Sequence, residues 1–131
     1  MAPLLRYAWA APASLIGLLL AAPVLAGRGH VRWHSGVLEI AGGLPGWVLS
    51  RRLPFSGPVA AITFGHVVLA CSRAALTRTR RHERVHVAQY EAWGALFLLA
   101  YPIASLIVWS RGKHPYLDNH FEVAARAREI I

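Results

Sequence analysis

A run of 19 residues without a charge, AWAAPASLIGLLLAAPVLA from Ala8 to Ala26, is the feature that most restricts how this chain folds. A helix of about 20 apolar residues is long enough to cross a bilayer. The run also has the layout of a secretory signal peptide, with a cleavage site ending at Ala26. Because it exceeds the roughly 7 to 15 apolar residues usual for a cleaved signal, residues 1–27 are predicted to be a retained membrane anchor, with a signal peptide as the alternative.

The chain has few charged residues, and most of them are positive. Charged residues make up 15% of the 131 residues, against roughly 25% in an average soluble domain, and the net charge is +8. These values favour contact with anionic membrane lipids. Nucleic acid is not expected as a partner, because no nucleic-acid-binding motif accompanies the positive charge. The one cysteine, Cys71, excludes an internal disulfide and a cysteine-based metal cluster.

The arginines around the apolar run predict its orientation. Arg6 precedes the run, and four arginines follow it, at Arg28, Arg32, Arg51 and Arg52. Positive residues are enriched on the cytoplasmic side of membrane segments. Residues 28–131 are therefore predicted to form one cytoplasmic domain held by a single N-terminal anchor.

The residues after the anchor predict an α+β fold. Short strands are expected at Val37–Ala41, Ala60–Phe64 and His66–Ala70, the last two joined through Phe64-Gly65, so that a small antiparallel sheet forms. Residues 43–58, rich in Gly and Pro, predict an irregular loop at the membrane surface.

Three helical segments are predicted after the sheet. The first runs from Ser72, a plausible N-cap, to Trp93 without Gly or Pro. The second is the apolar segment Ala95–Trp109, and the third is a C-terminal helix capped by Asp118 or Asn119.

The sequence His82-Glu83-Arg84-Val85-His86 lies within the first of these helices. Residues four apart share a helix face, so His82 and His86 can present two imidazoles to one ion. Glu83 lies about 100° further round the helix, where it can accept a proton from a water that the metal has acidified. The pattern predicts a catalytic Zn²⁺ site, and the simpler interpretation is stray His and Glu on a solvated arginine-rich helix.

A catalytic zinc needs a third protein ligand and one open position. The candidates lie near the C-terminus, at His114, Asp118, His120, Glu122 and Glu129. Glu122 is preferred because it lies inside the predicted last helix and can be held rigidly, while Asp118 and His120 are the main alternatives.

HERVHVAQYEAWG, followed by an apolar stretch and YLDNHFEVAARA, resembles the gluzincin type of zinc metallopeptidase. It is similar in particular to small bacterial membrane-associated proteins with a HExxHxxQ helix and a downstream N-x-F-E segment. The resemblance covers about residues 60–127 and implies peptide hydrolysis at a bacterial inner membrane, with His82, His86 and Glu122 as zinc ligands and Glu83 as the base. Such relatives are expected to have proline at position 120, which leaves His120 as a candidate near the metal.

Several other side chains are candidates for supporting roles. Gln89 follows His86 by three residues and can hydrogen-bond a ligand carboxylate or a substrate. Tyr90 or Tyr116 can donate to a developing oxyanion, although packing is the simpler role for both. His66 can line the cleft, although a buried, satisfied histidine is the simpler interpretation.

The apolar segment Ala95–Trp109 tests this interpretation geometrically. A full crossing would separate His86 from Glu122 by about 30 Å of hydrocarbon. A zinc site therefore requires the segment, with its internal Pro102, to double back as a buried or re-entrant helix. The predicted function is zinc-dependent hydrolysis of peptide or protein substrates at or near a membrane. The alternative is a non-catalytic small membrane protein, either zinc-stabilised or lipid-binding.

Overall fold

Two β-hairpins and four α-helices are present in the part of the chain that the computed structural model describes, residues 3–22, 29–42 and 60–129. The strands are β1 (Gly29–His34), β2 (Val37–Gly42), β3 (Ala61–Phe64) and β4 (Val67–Ala70), and the helices are α1 (Pro3–Ala21), α2 (Arg73–Trp93), α3 (Phe97–Ser110) and α4 (His120–Glu129). The predicted α+β class is confirmed. The predicted loop of residues 43–58 and the cleavage site ending at Ala26 lie outside the described residues.

The sheet is mixed, so the prediction of an antiparallel sheet is wrong. The strand order is β1-β2-β4-β3, and β2 pairs with β4 in parallel, with Leu38 opposite Val67 and Ala41 opposite Ala70. Each hairpin is antiparallel by itself. The two hairpins join through their second strands, which run in the same direction and are the most buried. A hydrophobic pattern identifies buried strands, but it does not show which edges pair.

Strand β1 has no counterpart among the predicted strands. Its sequence is GHVRWH, and the consecutive residues Val31, Arg32 and Trp33 are all exposed. An edge strand held mainly by backbone pairing with its neighbour gives no clear alternation of apolar and polar residues.

Helix α1 packs against the rest of the fold. Ala10 and Ala13 are fully buried, and Gly17 lies against the β3–β4 hairpin. Trp9 Nε1 donates a hydrogen bond to the carbonyl oxygen of Ala92 at 3.3 Å. Small residues at one face of α1 thus allow close contact with both the sheet and the end of α2.

The outward faces of α1 and α3 are apolar. The exposed leucine and isoleucine side chains include Leu15 and Leu19 on α1 and Leu99, Ile103 and Leu106 on α3. Within the described residues, two helical stretches are long and apolar enough to cross a membrane, Leu4–Ala21 and Arg73–Ser110. The second of these combines α2 and α3.

Helix α2 is the element on which the other helices converge. Ser72 caps it, because the Ser72 hydroxyl accepts a hydrogen bond from the Ala75 amide at 3.1 Å. The helix ends at Gly94, whose positive φ of 63° suits glycine. Helix α3 then leads away and the chain doubles back, so that α4 packs beside α2. Asn119 caps α4 by accepting from the Phe121 amide at 2.8 Å.

Candidate metal centre

Three side chains from two helices converge at the middle of α2. His82 Nε2 lies 2.8 Å from Glu122 Oε1, His86 Nε2 lies 3.2 Å from the same oxygen, and the two histidine nitrogens are 3.2 Å apart. His86 and Glu122 are buried, and His82 is partly buried. One helical turn supplies both imidazoles, and the first turn of α4 supplies the carboxylate.

This triangle of atoms has the size of one face of a zinc coordination shell. Ligand atoms that share a tetrahedral zinc at ~2.0–2.1 Å are about 3.3 Å apart. The observed separations of 2.8, 3.2 and 3.2 Å are close to that value. The group can therefore hold a metal ion with little movement, and a set of two imidazoles and one carboxylate is compatible with zinc without being specific to it.

Gln89 fixes which nitrogen of His86 has the free lone pair. The Gln89 amide nitrogen donates to the carbonyl oxygen of Phe121 at 3.1 Å, so the amide oxygen must face His86 Nδ1, 2.8 Å away. An amide oxygen only accepts, which places the proton on Nδ1 and leaves Nε2 of the neutral ring free to bind an ion. Gln89 thus contacts the imidazole of His86, whereas the sequence suggested a contact with a carboxylate or a substrate.

Glu122 is held at both of its oxygens. Oε1 faces the two histidines, and Oε2 accepts a hydrogen bond from the hydroxyl of Tyr101. Burial alone raises the pKa of Glu122, but hydrogen bonds from His82 and His86 outweigh it and hold the pKa well below its usual range. Burial lowers the pKa of His86, and the contact with Glu122 more than reverses that effect. Both shifts have the same cause, the close contact of the imidazoles with the Glu122 carboxylate.

Glu83 is buried on the neighbouring face of α2. Its Oε2 accepts a hydrogen bond from the hydroxyl of Thr63 on β3 at 2.7 Å. Burial raises the pKa of Glu83, an effect that His86 and the Thr63 hydrogen bond only partly offset. A carboxylate with a raised pKa is better suited to accept a proton than an exposed one.

A cavity of about 520 Å³ adjoins these residues. Glu83, His86 and Glu122 line one end of it, and β3, α3 and the segment before α4 supply the remaining walls. Most of the lining is apolar, with side chains such as Ile62, Phe97 and Leu106. A cavity of this size accommodates a small organic molecule or a few amino-acid side chains.

The structure places Asp118, His120 and His66 away from the group. Asp118 and His120 are exposed, and Asp118 accepts a hydrogen bond from the His114 amide. His66 is buried against Tyr7 and lies 3.0 Å from Glu91 Oε2, outside the cavity lining. Tyr90 and Tyr116 line the cavity, and Tyr90 packs on the ring of Phe97. Asn119 contributes to the site indirectly, because it caps the helix that carries Glu122.

Two contacts have no signal in the sequence. Thr63 is an ordinary residue of a short strand, and its contact with Glu83 depends on how α2 crosses the sheet. Tyr101 lies in an apolar helix, where its sequence context indicates a membrane-interface aromatic. The phenol that contacts Glu122 is Tyr101, whereas the sequence suggested only Tyr90 and Tyr116. Comparison with protein-family models, curated proteins and solved structures finds no match.

Proposed function

We propose that this protein is a zinc-dependent peptidase that acts at or near a membrane. The observation that carries the proposal is the triangle of His82 Nε2, His86 Nε2 and Glu122 Oε1, with edges of 2.8 to 3.2 Å, beside the buried carboxylate of Glu83. Three protein ligands are the number typical of catalytic zinc sites. That the bond cleaved is a peptide bond rests on the resemblance of HERVHVAQ and NHFE to gluzincin motifs.

Each residue has a defined task in this proposal. Bound Zn²⁺ would supply a Lewis acid that polarises the scissile carbonyl and acidifies water. Glu83 accepts a proton from the attacking water and delivers it to the leaving amine, so its own charge is restored at the end. Thr63 holds one Glu83 oxygen in place. Gln89 and Tyr101 orient His86 and Glu122, as the outer partners of metal ligands commonly do.

The charge distribution along α2 and α3 supports the membrane location. Five arginines lie between Arg73 and Arg84, whereas Glu91 is the only Asp, Glu, Lys or Arg from Val85 to Ser110. A groove of about 390 Å³ at the basic end is lined by arginines of α2 and α4. We infer that the apolar end and α1 contact lipid, and that the basic end faces anionic headgroups and the cytoplasm.

Metal analysis combined with a hydrolysis assay tests the proposal. The full-length chain is purified in detergent micelles, its zinc content is measured, and cleavage of a quenched fluorescent peptide library is followed. We expect one zinc per chain, lost in His86→Ala and Glu122→Ala. Glu83→Gln should keep the metal, and its rate of hydrolysis should fall by at least about 100-fold, the lower end of the range for general-base catalysis. His120→Ala, an exposed histidine two positions from Glu122, is the matched control and should change neither quantity.

The possible results separate the three interpretations of the sequence. Zinc without hydrolysis would favour a zinc-stabilised membrane protein. Absence of zinc binding would leave a lipid-binding or structural membrane protein. Retained hydrolysis in Glu83→Gln would remove the proposed mechanism even if zinc is bound.

A further inference from the structure

The apolar cavity beside the candidate metal group indicates what kind of substrate the group receives. Among the described residues that line it, none is lysine or arginine, and the two acids are Glu83 and Glu122. Both acids already have hydrogen-bond partners, Thr63 for Glu83 and the two histidines for Glu122. A charged substrate side chain would therefore lose its hydration in this cavity without gaining a free partner of opposite charge.

The rim of the cavity is formed in part by the exposed face of α3. Leu106 and Trp109 line the cavity, yet they are 60% and 55% exposed. The apolar wall is thus continuous from the metal group to the outer surface of a helix that carries further exposed apolar residues, such as Leu99 and Ile103. An apolar molecule that entered past Leu106 and Trp109 would meet a mostly apolar lining beside His86 and Glu122.

The strand β3 favours a polypeptide over a lipid as the occupant. All four of its residues, Ala61 to Phe64, line the cavity. Within the described residues β3 is an edge strand, paired only with β4. Its outer backbone groups can pair with an extended chain, which an acyl tail cannot do.

We propose that the cavity selects polypeptide segments with large apolar side chains beside the scissile bond, taken from the membrane or its surface. This inference rests on the proposed function, because it names the substrate class of the same site. The specificity of the cavity comes from α3 and β3, and Leu106 is the specificity-determining residue at the rim. Loss of one large apolar contact in such a pocket changes selectivity by about 10- to 200-fold.

A binding experiment with an inactive variant tests the inference without relying on turnover. Two labelled peptides of equal length and charge are compared, one with Leu and Phe beside the central bond and one with Ser and Asn at the same positions. Their affinities for full-length, zinc-loaded Glu83→Gln in micelles are measured by fluorescence anisotropy. We expect the apolar peptide to bind at least about tenfold more tightly. Adding Leu106→Gln should remove most of this preference.

Ile107→Gln is the matched control. Ile107 is the next residue of α3, is 46% exposed and does not line the cavity. Both substitutions alter the apolar surface and detergent binding of α3 in the same way, so partitioning of the apolar peptide into micelles affects them equally. The ratio of the two peptide affinities in Ile107→Gln should stay within about twofold of the ratio without this substitution. This change is well below the roughly tenfold or larger change expected for loss of a pocket contact.

The outcomes distinguish this inference from the proposed function. Equal binding of both peptides, combined with zinc-dependent cleavage of both by the native chain, would overturn the inference and leave the hydrolase intact. A preference that Leu106→Gln removes, without cleavage of any peptide, would support the apolar site and overturn the hydrolase. A third result would also overturn the inference. If added phospholipid displaces the apolar peptide, and does so equally well in Leu106→Gln, the peptide binds at a lipid site elsewhere.

Discussion

The substitution Gly17→Ala tests whether α1 belongs to the folded domain. A Cβ atom at position 17 would lie 2.8 Å from Cβ of Val67 and 3.0 Å from Cβ of Phe64. These neighbours are the first atoms of strand side chains, so a change of rotamer cannot move them away. Either α1 or the β3–β4 hairpin must shift to accept the added methyl group.

Two opposing effects set the stability of this variant. Alanine is favoured over glycine in a helix interior by roughly 0.8–1.0 kcal/mol. Overpacking of a close contact costs about 1–3 kcal/mol. The clash therefore exceeds the helix gain, and we expect Gly17→Ala to lower the free energy of unfolding by up to about 2 kcal/mol. If α1 were a detached anchor, the added methyl group would meet no strand and the free energy of unfolding would not fall, so a decrease is the diagnostic result.

Thermal unfolding of the full-length chain in micelles, followed by far-ultraviolet circular dichroism, measures this change. Leu19→Ala, on the exposed face of the same helix, is the control and should shift the midpoint very little. A lower midpoint in Gly17→Ala alone is the expected result. A midpoint that stays the same or rises in Gly17→Ala would refute the close packing of α1 on the hairpin.

Three further predictions follow from other contacts. Gln89→Met should weaken zinc binding by about 10- to 100-fold in a chelator competition assay, whereas Glu91→Gln, which alters the contact with His66, should not. Glu39→Gln should lower the free energy of unfolding by at least about 1 kcal/mol, because Glu39 is buried between Arg80 and Arg84 and loss of one partner of a buried pair costs ~3–5 kcal/mol. Mass spectrometry of protein from the membrane fraction should detect residues 8–26, whereas signal-peptide cleavage would remove them.

The same buried carboxylate predicts how stability depends on pH. Burial raises the pKa of Glu39, but hydrogen bonds from Arg80 and Arg84 outweigh it, so the pKa lies below its usual value. A lowered pKa in the folded state stabilises the fold above the unfolded-state pKa of about 4.3, and this contribution is lost as the pH falls towards the folded-state pKa. Urea titrations at pH 7 and pH 4 should show a loss of stability that is smaller in Glu39→Gln. An equal loss in both proteins would contradict this role.

The histidine pair was predictable because its geometry depends on a single helix. A spacing of four residues brings His82 and His86 to one face wherever the helix lies. The carboxylate required more information, since Glu122 is 36 positions from His86. The capping residue Asn119 sets the start of α4, and this start determines that Glu122 faces α2. Asp118 precedes the helix and therefore does not face it.

The parts that could not be predicted depend on contacts between elements. The parallel pairing of β2 with β4, the contact of Thr63 with Glu83 and that of Tyr101 with Glu122 each join two separate elements, and no local sequence pattern gives the relative placement of such elements. An apolar segment such as α3 has the same composition whether it crosses a membrane or packs beside a site. The sequence predicts the return of this segment from Pro102 and from the need for His86 and Glu122 to share an ion, and the structure places their side chains 3.2 Å apart.

The order of charged and apolar residues along α2 relates the candidate site to the proposed membrane orientation. The arginines of α2 end at Arg84, which lies between His82 and His86, and the apolar stretch begins at Val85 and continues through α3. On the proposed orientation, this order places His82 and His86 at the depth where headgroups meet hydrocarbon. The cavity wall that ends at Leu106 and Trp109 would then be continued by lipid. On this orientation the domain would hold an apolar segment without building a full cleft of its own, because the membrane would supply the missing side.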